Sequence, residues 1–455
     1  MSSVEGLALR CLLPGFDGTV APDWVRRRAA QGLGGIVLFG RNVDSDEQVR
    51  ALTAALHAER PDLVVAIDEE GGDVTRLDAR TGSRYPGNLA LGAAGDPRLT
   101  AEVAAEMGAR LAAVGVDLNL APVADVNTNP QNPIIGVRSF GSDPDAVAEH
   151  TAAWVRGMQG AGVAACAKHF PGHGDTSVDS HLALPVGKGE LAPFKAAIGA
   201  GVKAIMSAHV VVPSIDQQPA TISSRVMTGL LRDELGFEGV AVTDGLEMAA
   251  LSGARTLAEG AVLSLAAGCD ALCVGGGLRD EVVVDELVAA IVSAVNDGRL
   301  GEERLGQAVS RMSQLSSPLA GKSAAKPREG AARLVARRAI RVEGHVTVGD
   351  EAVVIRLDSP SSNAAGEVPW GMAGALAARG VRITEDTGRL VIAVRDLHRQ
   401  PENQVRAASL LESHSDAVVV EMGVPVCRPQ AAKNYVATQG SARVCAEAAA
   451  AVMRP

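Results

Sequence analysis

Basic charge is scarce in this chain. Its 43 Lys and Arg are outnumbered by 53 Asp and Glu, giving a formal net charge of −10 and a pI near 5.5. No run of Lys or Arg interrupts that balance, so no basic field exists to hold nucleic acid. Cysteine is thin as well: Cys11, Cys166, Cys269, Cys273, Cys427 and Cys445 are scattered, mostly inside apolar runs, and imply no disulfide framework. Cys269 and Cys273 stand four apart without a second pair nearby, which reads as buried thiols rather than a zinc site. No apolar stretch is long enough to span a bilayer. The first residues, MSSVEGLALRCLLPGFDGTV, lack the basic segment, apolar core and cleavage site of a secretory leader. A cytoplasmic protein is expected, with neither nucleic-acid nor membrane partners. Internal repeats of solenoid or propeller period are also missing.

What is present is material for packed cores, with 47% hydrophobic and 21% charged residues. A length of 455 residues calls for two domains unless a large barrel takes most of it. Short apolar runs recur at residues 8–16, 34–39, 63–68, 116–123, 163–169, 202–209, 239–244 and 269–276. They do not alternate strictly, as expected of parallel strands buried on both faces. The segments between them read as helices. Ser45 with Gln48 forms a capping box ahead of Val49, Leu52 and Leu56, and Val226, Leu230, Leu231 and Leu235 form a stripe.

Eight strand–helix units predict an α/β fold, a (β/α)8 barrel of the TIM type over residues 1–315. Its active site is expected at the C-terminal ends of the strands. Residues 316–330, SSPLAGKSAAKPREG, read as a linker. A helix at 331–340 and strand-like runs at 352–357, 389–396 and 416–423 predict a smaller α/β domain over 331–455.

The strand ends carry Asp68, Asp125, Lys168, His169, His209 and Asp244. Asp244, after EGVAVT, fits a helix N-cap as well as a nucleophile. Asp179 and His181, two apart in VDSH, can form a pair that gives and takes a proton near neutral pH, or a structural pair on a loop. Asp68 and Arg76, in DEEGGDVTRL, suit either the gripping of sugar hydroxyls or a salt bridge that shapes the loop. Arg138 and the Lys168–His169 pair carry the same two readings. Glycines in FPGHGDTS allow the loop before His181 to turn sharply and to move. A metal site built from His169, His173, Asp175 and His181 matches neither the helical i, i+4 pair nor a knuckle spacing. His173 and Asp175 are expected to shape the loop through hydrogen bonds.

The segments GGIVLFGRN (34–42), AIDEEGGDVTRL (66–77), NLAPVADVN (119–127), RSF (138–140), KHFPGHGDTSVDSHLALP (168–185) and VTDGLEM (242–248) together resemble glycoside hydrolase family 3, in its bacterial β-N-acetylglucosaminidase branch of NagZ type. The resemblance covers the barrel. It implies Asp244 as nucleophile, His181 as general acid/base and Asp179 as its orienting partner. It implies Asp68, Arg76, Arg138, Lys168 and His169 as the residues that bind an N-acetylglucosamine unit. The implied activity is a retaining exo-β-N-acetylglucosaminidase that uses no cofactor and no metal. Its substrate would be a terminal N-acetylglucosamine on peptidoglycan-recycling fragments or chito-oligosaccharides.

A neutral imidazole does not repel an anion, so His181 also admits a phosphorylase with phosphate as acceptor. A catalytically silent amino-sugar-binding protein is a third reading, which would lack the nucleophile or the acid. Gly245 stands where Asp or Ala is expected in the family, a change that would enlarge or loosen the site beside Asp244. The tail after the linker resembles the family's second domain only weakly.

Overall fold

The structure, a computed structural model, describes residues 3–277, 280–315 and 330–455. Eight parallel strands form the first part: β1 (Leu12–Pro14), β2 (Gly35–Leu38), β3 (Val64–Ile67), β4 (Leu118–Asn119), β5 (Ala164–Phe170), β6 (Ala204–Ser207), β7 (Val240–Thr243) and β8 (Leu272–Val274). Strands β2 to β7 pair in sequence order, and β8 pairs with β1. The bridge Val242–Ala271 and the bond from Thr243 N to Ala271 O (2.9 Å) join β7 to β8. Between β1 and β2 no ladder forms among the described residues; Gly34 N donates to Leu9 O at 3.2 Å.

The strands alternate between two cores, which explains their near-continuous apolar sequence. Leu13, Val37, Val64, Ala66, Leu118, Ala164, Cys166, Ala204, Val240 and Val242 fill the barrel interior. Their neighbours Leu12, Ile36, Val65, Ile67, Ala165, Ile205 and Ala241 pack outward against the helices. The interior is therefore packed rather than hollow.

The first apolar run is not all strand. Ser3 caps a helix over Val4–Arg10 by accepting from Gly6 N at 3.2 Å, so residues 8–10 are helical and β1 begins at Leu12. Ser45 caps the helix Asp46–Glu59 through Gln48 N, with Val49, Leu52 and Leu56 buried. The stripe of Val226, Leu230 and Leu231 is buried as its spacing requires, although its segment, Arg225–Glu234, is wound as a π-helix.

The expected linker lies outside the described residues, apart from Gly330. The helix Ala331–Ala339 packs Ala331, Ala332 and Val335 into the outer core of the barrel. A second sheet follows, made of β9 (Arg341–Glu343), β10 (Glu351–Arg356), β11 (Arg382–Thr384), β12 (Arg389–Val394), β13 (Val418–Glu421) and β14 (Asn434–Ala437). Its order is β11-β10-β12-β13-β14-β9, parallel except for β9. Apolar clusters cover both of its faces. After β10 the chain runs through residues 357–372 toward the barrel mouth.

Candidate active site

Each strand end contributes by its own local logic. After β3, Gly71 and Gly72 adopt φ of 79° and 64°, and a Cβ on Gly72 would lie 2.7 Å from Gly87 Cα. Only glycine fits such a turn. It folds Thr75 and Arg76 back, where the buried Glu69 carboxylate accepts from Thr75 Oγ1 (2.6 Å) and from the backbone N–H of Arg76 (2.8 Å) and Leu77 (3.0 Å). Arg76 is thereby aimed at Asp68, with Nη2 3.7 Å from Oδ2.

A buried ion network occupies the β3–β5 side of the mouth. Lys168 Nζ lies 2.6 Å from Asp68 Oδ1 and 2.7 Å from Glu70 Oε1, while Arg138 grips Glu70 with two bonds of 2.9 Å. Burial would raise the Glu70 carboxyl, but Arg138 and Lys168 hold it far below its ordinary range. Burial likewise opposes the charge on Lys168, and Asp68 and Glu70 more than restore it, so its pKa is raised. His169 Nδ1 meets the buried Asp125 carboxylate at 2.7 Å, and Arg138 Nη2 lies 3.4 Å from its Nε2. The same carboxylate accepts from the backbone N–H of His173 at 2.7 Å.

Asp244 follows β7 directly, and its Oδ1 accepts from Gly245 N at 2.8 Å. Burial alone would raise its carboxyl. The imidazoles of His169, His209 and His181 around it outweigh that and bring it down to about 2. It is not a helix cap, because the next helix begins at Ala249. His209 is buried below the mouth, bonded to Thr221 Oγ1 (2.7 Å) and to Gly245 O (2.9 Å), and so braces the backbone beside Asp244. A Cβ on Gly245 would already touch Glu247 Oε2 at 3.4 Å and Met248 at 3.5 Å. Glycine here therefore leaves little extra room.

His181 is reached by the long β5 loop. Asp179 Oδ1 accepts from both the backbone N–H (2.9 Å) and Nδ1 (2.8 Å) of His181. Burial disfavours the imidazolium, but the bond to Asp179 and the charge of Asp244 prevail, so the His181 pKa is raised. The loop is pinned by its other polar groups. His173 bonds Thr176 Oγ1 (2.6 Å) and Ser180 Oγ (3.2 Å), and Asp175 Oδ2 accepts from Lys188 N (2.7 Å). His169, His173, Asp175 and His181 thus point at different partners and do not converge on one point. Among the described residues no group of three or more His, Cys, Asp or Glu is placed to hold a metal ion.

One cavity of about 830 Å³ gathers Asp68, Arg76, Arg138, Lys168, His169, His181 and Asp244, with Met206 and Cys273 from the barrel interior also lining it. Asp179 does not line it. It stands behind His181, facing a second cavity of about 590 Å³ between the barrel and the second domain. Glu70, also in the lining, was not singled out by the sequence reading. The signal for it was three cations, Arg76, Arg138 and Lys168, against one named carboxylate. Leu182, exposed and apolar on the His181 loop (72% exposed), also lines the cavity.

Residues 15–315 match the glycosyl hydrolase family 3 N-terminal domain. The β-hexosaminidase A of Pseudoalteromonas piscicida is 32% identical over 389 residues, which are 75% of this chain and 65% of that enzyme. A family 3 β-N-acetylglucosaminidase from Paenibacillus sp. str. FPU-7 superposes with a TM-score of 0.88 at 33% identity, covering 100% of this chain and 97% of that one. NagZ from Neisseria gonorrhoeae, solved with N-trifluoroacetyl-D-glucosamine, gives a TM-score of 0.61 at 32% identity, covering 72% of this chain and 98% of the other. With residues 15–315 matched, which hold strands β2 to β8, and the two-part architecture shared, the chain belongs to glycosyl hydrolase family 3.

Proposed function

We propose that this protein is a retaining exo-β-N-acetylglucosaminidase, which removes a terminal, non-reducing N-acetylglucosamine from chito-oligosaccharides or peptidoglycan-recycling fragments. The observation that carries the reading is one blind cavity holding both an ionised carboxylate, Asp244, and a raised imidazole, His181. The names of the similar β-hexosaminidases and β-N-acetylglucosaminidases support the substrate class.

Asp244 attacks the anomeric carbon as the glycosidic bond breaks, and His181 gives the leaving oxygen a proton. His181 Nδ1 is tied to Asp179, so Nε2 is the nitrogen that works. In the second step Nε2 takes a proton from water, which attacks the glycosyl-enzyme and frees Asp244. Asp68, Arg76, Arg138, Lys168 and His169 fix the sugar ring by hydrogen bonds to its polar groups.

Water is the acceptor in this reading. Among the described residues, Arg76, Arg138 and Lys168 each pair with a carboxylate, and Arg41 lies 3.0 Å from Asp17. A phosphate would have to compete with these pairs. The free thiols, five of the six buried, suit a reducing compartment such as the cytoplasm.

Asp244→Ala is expected to cut turnover of 4-nitrophenyl N-acetyl-β-D-glucosaminide by on the order of 10³-fold or more. Unchanged turnover would overturn the assignment. The wild type should release free N-acetylglucosamine with or without phosphate, and a sugar 1-phosphate product would make it a phosphorylase.

A further inference from the structure

The orienting carboxylate of the acid/base pair is held from the other domain. Asp179 Oδ1 is taken twice by His181, whereas Oδ2 accepts from Asn363 Nδ2 at 3.1 Å. Asn363 lies in the segment that follows β10, 184 residues further along the chain. Its turn is tight: Ala365 N donates to Ser362 O at 3.1 Å and Gly366 N to the same oxygen at 3.0 Å. The next two carbonyls, of Ala364 and Ala365, accept from Arg76 Nη2 (3.0 Å) and Nη1 (3.4 Å). A single turn of the second domain therefore touches both the proton-transfer pair and a cation beside Asp68.

We propose that Asn363 is a positioning residue for proton transfer, fixing the plane of the Asp179 carboxylate so that His181 presents Nε2 to the glycosidic oxygen. The proposal rests on the reading of Asp179 and His181 as the acid/base pair. Both bonds from His181 fall on one carboxylate oxygen, and a donor on the second oxygen adds an independent restraint on the plane of the group. The choice of donor matters. A neutral amide holds Asp179 without a cation that would cancel its pull on the imidazolium. The half of the fold that lacks the nucleophile thus completes the acid.

The test separates proton donation from general damage. A sugar leaving group needs protonation, and a nitrophenolate leaves almost unaided. For Asn363→Ala, kcat on N,N′-diacetylchitobiose should fall about tenfold, a fraction of the roughly 10²–10⁴-fold that a positioned acid supplies. On the 4-nitrophenyl glycoside kcat should stay within about twofold, with KM unchanged on both substrates. Asn363→Asp, which keeps the size but sets a carboxylate against Asp179, should lose more on chitobiose and decides the matter if the alanine variant fails to fold. Equal loss on both substrates, or no loss on chitobiose, overturns the proposal. Asp179→Ala serves as the reference. If it too shows no preference between leaving groups, the acid/base reading itself falls; if it shows the preference and Asn363→Ala does not, only the role of Asn363 falls.

Discussion

Asp244 and His181 share one cavity yet are pushed in opposite directions, the carboxyl down to about 2 and the imidazole up. Asp244 is thus held in the base form that a nucleophile needs, and the shift in His181 favours the acid form that a proton donor needs. Because His181 must carry its proton to start the reaction, kcat/KM should fall as pH rises through its raised pKa. In His181→Ala that alkaline fall should vanish, leaving a low and flat profile. A profile that keeps the fall would assign it to another group. Asp244, Asp179 and His181 could be read from the sequence because each stands in a short, distinctive segment. Glu70 could not: it is the last of three consecutive acidic residues, 68–70, and only the folded positions of Arg138 and Lys168 show that they share it. Asn363 sits in a stretch without apolar period, and its partner lies 184 residues away.

The β5 loop is an element whose function depends on how closely it docks. Gly174 lies against the segment beyond β4, and a Cβ there would stand 2.0 Å from Val126 O. Gly174→Ala must push the loop outward, at roughly 1–3 kcal/mol. Activity on chitobiose should fall with it, since His181 rides on the same loop. Denaturant unfolding together with chitobiose turnover checks this, and an undisturbed midpoint would mean that the loop adjusts freely. The strands were legible because burial on both faces leaves runs of apolar residues. The boundary of the first run was not, since Ala8 and Leu9 are as buried on a helix as they would be on a strand. The π-helical winding of Arg225–Glu234 has no marker in the spacing of Val226, Leu230 and Leu231. Strands β9, β11 and β14 are short pieces that the sequence reading left out.

At the scale of the whole molecule, the barrel and second domain meet around Asp73. Its Oδ1 accepts from Ser441 Oγ (2.6 Å) and Ser441 N (3.2 Å), and its Oδ2 lies 3.8 Å from Arg395 Nη1. Asp73→Ala strands these donors at the interface and should cost about 1–3 kcal/mol. Arg395 also donates to Ser359 Oγ (3.1 Å) and Ser359 O (3.0 Å), at the start of the segment bearing Asn363, so chitobiose turnover should drop as well; a stability loss with full turnover would show that the segment docks independently. The barrel also has a weak closure. Between β1 and β2 no ladder forms among the described residues, and Gly34 N bonds Leu9 O of the helix before β1, where the other junctions carry ladders or several bonds. A barrel so built does not breathe evenly around its circumference. Local opening is expected first along that line: in deuterated water the amides flanking it, at Gly34 and the start of β2, should exchange well before those of β5 and β6.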